Sequence, residues 1–255
     1  MSQLTIDIGN SRISAARVDG TSVSDQFEGS TSLDPERQVA EAFDWCLDQD
    51  GLEGTIDSAV LSSVVPSQTH LFSAIWTGHG EFGTRELHVV SHESPLPFEI
   101  DVRTPETVGA DRFCNVAAAM VLGHRHAIVV DLGTANTFDL LVAGVYQGGL
   151  IGPGAVTAHR ALVEAGAKLP DLTFSWPAEF IGKTTPEAIR SGSFHQAVGA
   201  VRHVIGKLRE HTPGAAVLVT GGLAEVIGPE LGDEILYIPG LTHLGAAAIG
   251  RLAGA

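Results

Sequence analysis

Two rhythms alternate along this chain. Short aliphatic runs, LTIDI at 4–8 and AIVVDL at 127–132, predict strands, and each runs into a polar turn before a second apolar stretch. Between them Val39, Ala42, Phe43 and Leu47 recur at helical spacing and predict a helix over 33–48. SAVLSSVVP at 58–66 predicts a strand ended by a proline, 68–76 a second helix, and 87–90 a short strand. Beyond Pro105, the apolar face of Phe113, Val116, Ala117, Met120 and Val121 predicts a helix whose first turn holds Asp111. VYQGGLIGPG then places Gly148, Gly149, Gly152, Pro153 and Gly154 in a predicted loop before another helix. Thr185 is expected to cap a long helix with Pro186 at its first position, and Ala197, Val201, Val204 and Leu208 mark its face. AAVLVTGGLAEVI at 215–227 reads as strand, Gly221-Gly222 turn and helix. GLTHLGAAAIGRL reads as a small-residue helix that packs closely and carries no evident catalyst.

The two opening stretches resemble each other. Asp7 laid on Asp131 brings Gly9 over Gly133 and Gly20 over Gly144 without a gap, with apolar residues matched on either side. Strand, acidic turn, strand in both halves is the mark of a duplicated unit, with a boundary expected between 91 and 105.

Composition narrows the function. The 255 residues are 44% hydrophobic, enough for a substantial core in one large domain or two ordinary ones. A formal net charge of -15 opposes broad contact with nucleic acid or anionic membranes. The two cysteines, Cys46 and Cys114, have no metal-ligand spacing, and the start MSQLTIDIG lacks the regions of a signal peptide, so a cytoplasmic protein is expected. His79, His88 and His92 lack a matching acidic or cysteine pattern.

Each acidic turn sets a carboxylate beside a glycine that lets backbone approach closely, followed by small hydroxyl and amide side chains. Such turns cradle phosphate oxygens with backbone N–H groups while the carboxylate holds a hydrated metal, although Asp, Gly and Asn are also ordinary turn residues. Neither is a Walker loop nor a dinucleotide fingerprint. Asp111, followed by Arg112, reads either as an ordinary first-turn acid or as a base that takes a proton from a substrate. Asp139 either shares the second turn or is structural.

DIGNS, TPETVGADR, DLGTANTFD, GGLIGPG, LPD, GKTTPEAIRSG and TGG, in this order, resemble the type III pantothenate kinases from residue 6 to about residue 245. The resemblance implies a two-lobed, duplicated ribonuclease H-like α/β fold with mixed sheets flanked by helices, as in acetate and sugar kinases, actin and chaperone ATPases. The expected lobes are 1–104 and 105–255. It implies phosphorylation of pantothenate by ATP with Mg²⁺ and a monovalent cation, K⁺ or NH₄⁺, in a homodimer, with nucleotide between the lobes. Asp7, Ile8, Gly9, Asn10, Ser11 and Arg12 match the first phosphate loop, Gly133 and Thr134 the second, and Gly221 and Gly222 the adenosine side. Gly109, Ala110, Asp111, Arg112 and Thr185 match pantothenate contacts, with Asp111 as proton acceptor; Asp131 and Asp7 match metal-holding positions. Val102 and Thr104 depart from an aromatic and an asparagine frequent in the family, which leaves a kinase for another hydroxyl compound open. A transcriptional regulator or structural relative on the same fold is the other alternative.

Overall fold

The acidic stretches each fold into an antiparallel hairpin: β1 (Ser2–Ile8) with β2 (Arg12–Asp19), and β7 (Ala127–Leu132) with β8 (Ala135–Val142). The protein is represented by a computed structural model that describes residues 2–30, 34–50, 58–80, 83, 85–166 and 173–254. Leu33 and the LPD motif at 169–171 lie outside the described residues.

The duplication extends to sheet topology. The first sheet runs β3 (Ser22–Ser30), β2, β1, β4 (Ser58–Ser63), β5 (Glu86–Val89). The second runs β9 (Val145–Pro153), β8, β7, β10 (Ala216–Thr220), β11 (Ile235–Tyr237), with β6 (Glu99–Ile100) joined to β9. In both, a later strand, β4 or β10, lies parallel to the first strand of the hairpin, and the one after it, β5 or β11, lies parallel to that strand. The gapless match of the two copies does not survive in register. Asp7 faces Ser14, whereas Asp131 faces Thr137, so the first turn is one residue longer and Gly20 is not the structural mate of Gly144. Pairing is set by which residues exchange ladder hydrogen bonds, and a one-residue change in a turn is invisible to a pattern of similar letters.

Two compact units are present: Met1–Gly123 with Gly144–Tyr146 and Gly240–Ala255, and His124–Ala143 with Gln147–Pro239. This division differs from the expected segments 1–104 and 105–255. The helices α3 (Ala110–Val121) and α7 (Leu241–Ala253) join the first sheet, because Gly245 lets α7 lie against the Cα and carbonyl of Cys114 with no room for a side chain.

In the first unit strand alternation sorts β1 into two faces. Leu4, Ile6 and Ile8 pack with Val39 and Phe43 of α1 (Pro35–Asp50) and Phe72 and Trp76 of α2 (Pro66–Gly78). Thr5 and Asp7 face the other way, toward α7 and α3. Pro66 opens α2 rather than merely ending the strand, since its missing N–H costs nothing in a first turn. In the second unit Ile128, Val130, Leu132 and Phe138 pack against Phe194, Val198, Val201, Ile205 and Leu208 of α5 (Thr185–His211). Ala197 and Val204 of the expected face are only partly buried at its edge.

Two local expectations are corrected. The glycine-rich segment expected as a loop is the strand β9, with only Gly154 left before α4 (Ala155–Ala165); pairing within a sheet supplies the hydrogen bonds that glycine's weak strand preference does not. The cap of α5 is Thr184, not Thr185. Thr184 accepts from the Glu187 N–H, and the Glu187 carboxylate accepts from the Thr184 N–H at 3.1 Å, a reciprocal pair that requires this three-residue spacing. Among the described residues no helix is long and apolar enough to cross a membrane.

Candidate functional site

Asp7 ends the polar face of β1. Its Oδ1 accepts from the Ser62 hydroxyl at 2.7 Å, and the turn beyond it closes with the Gly9 N–H donating to the Arg12 carbonyl at 2.8 Å. Asn10 and Arg12 are exposed, and Ser11 is half-buried. Arg12 lies 3.8 Å from Glu28, but both side chains are in water, where such a pair is worth little and yields readily to a phosphate. Ile8 is wholly buried in the core, so it can offer a ligand only its backbone.

Asp111 sits in the first turn of α3 but does not cap it. The cap position is Gly109, with no side-chain bond, and Asp111 Oδ1 instead accepts from the Arg112 N–H at 2.8 Å. Burial raises the Asp111 pKa above the ordinary carboxylate value, against the opposing pull of that N–H and of the Arg112 charge. A carboxylate held in this way is a better proton acceptor than a free one. Gly109 has a steric reason to be glycine, since a Cβ there would strike the Asp111 carboxylate and press on Val64. Ala110 is buried, and Asp111 and Arg112 are half-buried.

Packing brings Asp7 and Asp111 into one neighbourhood. Cys114, one turn along α3 from Asp111, is fully buried; burial first, then the charges of Asp7 and of Asp111, push its thiol pKa well up, while the Ser62 hydroxyl opposes the shift. The thiol is therefore an inert, protonated group rather than a nucleophile. The sequence gives no reason to single out Ser62, and it marks Cys114 only as a cysteine without metal-ligand spacing.

The second unit gathers three motifs around Asp131. The Gly133 N–H donates to the Ala135 carbonyl at 3.2 Å, and the Thr134 carbonyl accepts from the Gly154 N–H at 3.0 Å and from the Thr157 hydroxyl at 2.7 Å. Gly154 packs so closely that a Cβ would strike the Gly133 and Thr134 carbonyls. On the other side Gly221, at φ +95°, backs onto the Asp131 carboxylate and the Leu132 backbone, and the Leu223 N–H donates to the Leu132 carbonyl at 3.0 Å. Gly133, Thr134 and Gly221 thus form one backbone-lined wall, with Gly222 exposed beside it. Asp139 is fully buried on β8, across from Val129 and away from the turn. Thr185 is exposed at the start of α5, beside a cleft of about 460 Å³ lined also by Leu162, Lys183 and Gln196. It belongs to the second unit, and Gly109 to Arg112 belong to the first.

A sequence profile of the type III pantothenate kinases matches residues 3–207. The type III pantothenate kinase of Zymomonas mobilis is 32% identical over 96% of this chain and 91% of its own. That of Paramagnetospirillum magneticum is 36% identical over 87% and 86%. Among solved structures, a putative Baf family transcriptional activator from Campylobacter jejuni superposes with a TM-score of 0.59 at 19% identity over 98% of each chain. A ROK family glucokinase from Streptomyces griseus, in complex with glucose and AMPPNP, superposes with a TM-score of 0.59 at 10% identity over 98% of this chain and 99% of its own. At such identities these two likenesses establish the fold, that of the sugar kinases and actin-like ATPases.

Proposed function

The chain belongs to the type III pantothenate kinase family, and from that premise we infer that it transfers the γ-phosphoryl group of ATP to the hydroxyl of pantothenate, the opening step of coenzyme A synthesis. Phosphoryl transfer asks a protein for positioning and charge stabilisation more than for covalent chemistry. The observation that carries the residue assignment is that Asp111, with a carboxylate made more basic by burial, shares the surroundings of Cys114 with Asp7 of the first acidic turn. Asp111 takes the hydroxyl proton as the oxygen–phosphorus bond forms and ADP departs. Arg112, Gly109 and Ala110 shape the acceptor side, and Thr185 contributes a further hydroxyl. Asp7 to Arg12 and Gly133 with Thr134 serve the phosphates through backbone N–H groups and short polar side chains; Gly221 and Gly222 serve the adenosine.

Asp7 and Asp131 are the proposed metal-holding carboxylates. Among the described residues no cluster of three or more acidic, histidine or cysteine side chains forms an all-protein cage. Single carboxylates beside turns suit Mg²⁺, which keeps several waters and takes further oxygens from phosphates. When bound, it would neutralise phosphate charge. Asp131 and the neighbouring carbonyls offer the oxygen donors that a monovalent cation needs. A cytoplasmic homodimer is the proposed state, and the exposed Trp176, Phe180 and Ile181 of the second unit support an association surface.

Purified protein with Mg·ATP should release ADP only when pantothenate is present, and sugars or acetate should not replace it. A coupled assay without pantothenate-dependent ADP across sodium, potassium and ammonium salts overturns this reading. Turnover in potassium or ammonium should clearly exceed that in sodium at equal ionic strength; equal rates would remove the cation role of Asp131 and leave the rest standing.

A further inference from the structure

The C-terminal helix, which the sequence offers only as a small-residue packing element, carries a buried imidazole in the first unit. His243 on α7 is 5% exposed, and both ring nitrogens are engaged: Nδ1 lies 2.9 Å from the Thr5 hydroxyl and Nε2 lies 2.9 Å from the Ser14 hydroxyl. Those hydroxyls stand on the two strands of the first acidic hairpin, and Ser14 is the residue directly across from Asp7. The Thr5 hydroxyl gives its proton to the Ala16 carbonyl at 3.2 Å, so it can only accept from the ring. Nδ1 is therefore the protonated nitrogen, and Nε2 accepts from Ser14. Burial keeps the ring neutral, its pKa brought down to about 4, which is the charge state this one-donor, one-acceptor arrangement needs. The preceding residue reaches the other candidate element, because the Thr242 hydroxyl donates to Asn115 Oδ1 on α3 at 2.9 Å. Two consecutive residues of α7 thus hold the strand pair that bears Asp7 and the helix that bears Asp111.

We propose that His243 is a positioning residue for phosphoryl transfer: its Nδ1–H tautomer pins the β1–β2 hairpin while Thr242 pins α3, and α7 thereby sets the first phosphate turn against the proton acceptor. The role rests on the kinase reading above. His243 touches no reacting atom in it. Ser62 steadies Asp7 from one side, and His243 steadies its cross-strand neighbour from the other. A misplacement of reacting groups of about 1 Å costs roughly 10²-fold in rate, so a partial release should cost ~10- to 100-fold.

Three proteins test this: His243→Leu, which removes both bonds, Ser14→Ala, which removes one hydroxyl, and the double variant. The expected result is a ~10- to 100-fold lower kcat for His243→Leu, a smaller loss for Ser14→Ala, and a double variant no slower than His243→Leu, because both substitutions break the same link. Ser14→Ala keeps the test open if His243→Leu does not fold. Normal kcat in folded His243→Leu or Ser14→Ala, with only a lower Tm, would make the link purely structural and overturn the proposal. Losses that multiply in the double variant would also overturn it. The ¹⁵N shifts of the His243 ring report the tautomer without catalysis, and a protonated Nε2 would contradict the pin. Folded variants that turn over pantothenate at the wild-type rate sink only this inference; wild-type protein without turnover sinks the kinase reading and this role with it.

Discussion

Asp111→Asn is expected to lower kcat by roughly 10²–10⁴, the range of general acid–base catalysis, while leaving the protein at least as stable as its parent. The two halves of this expectation have one cause. Asp111 has a folded-state pKa raised above the ordinary carboxylate value, chiefly by burial. Its contribution therefore favours the folded state at pH below the ordinary carboxylate range and is lost as pH rises through the raised value. At neutral pH the native fold carries a charge that it would rather not bury. Asparagine removes the charge yet keeps an oxygen that accepts from the Arg112 N–H. The Tm advantage of the variant should be greatest at neutral pH and shrink in acid, as pH falls through the raised value and the parent takes up its proton. Thermal scans at neutral and acid pH, with single-turnover rates and ATP affinity on the same preparations, check it. A variant with parental turnover would remove Asp111 from the chemistry, and a variant that melts well below the parent would make the side chain structural.

Gly221→Ala should damage the nucleotide wall and the second unit together. Gly221 occupies φ +95°, where a side chain is strained by about 1–3 kcal/mol before any contact is counted. A Cβ would also meet the Leu132 nitrogen at 2.6 Å and its carbonyl carbon at 2.7 Å, atoms of the strand end that carries Asp131 and that cannot step aside like a side-chain tip. Overpacking of this kind costs a further ~1–3 kcal/mol. With roughly 2–4 °C per kcal/mol for chains near this size, Tm should fall by several degrees or more. ATP affinity should fall with it, because the clash is relieved only by moving the turn. Gly222→Ala is the control: Gly222 is exposed and outside the positive-φ set, so that variant should melt close to the parent. Calorimetry and nucleotide titration on both variants decide it, and a Gly221→Ala protein with parental Tm and affinity would refute the packing argument.

Periodicity and turn chemistry were enough for the elements at the heart of this protein. Asp7-Ile8-Gly9 and Asp131-Leu132-Gly133 announce their hairpins because the signals are local: apolar runs make the strands, and glycine beside a short polar residue makes the turn. The order of motifs was also sufficient for the family. Local signals faltered where one pattern admits two pairings. Thr184 and Thr185 both precede a proline and an acid, and only the reciprocal bonds with Glu187 choose between them. The glycines of 148–152 look like a loop until sheet pairing makes them a strand. The added residue in the first turn is hidden by a glycine match that register does not respect.

The amino-acid sequence alone determined the two acidic turns and Asp111 as a candidate base, because each depends on residues within a few positions of one another, and the duplicated plan, because the same run of residue types recurs in both halves. Only the tertiary structure decided that Ser62 holds Asp7, that Cys114 lies within reach of both Asp7 and Asp111, and that His243 ties the first hairpin to α7. These contacts join segments far apart in the chain, through packing of α3 and α7 on one face of a sheet. No short-range pattern encodes which buried hydroxyl will meet which carboxylate or ring, because that choice is made by the close approach that Gly245 permits and by the demand that every buried polar group find a partner.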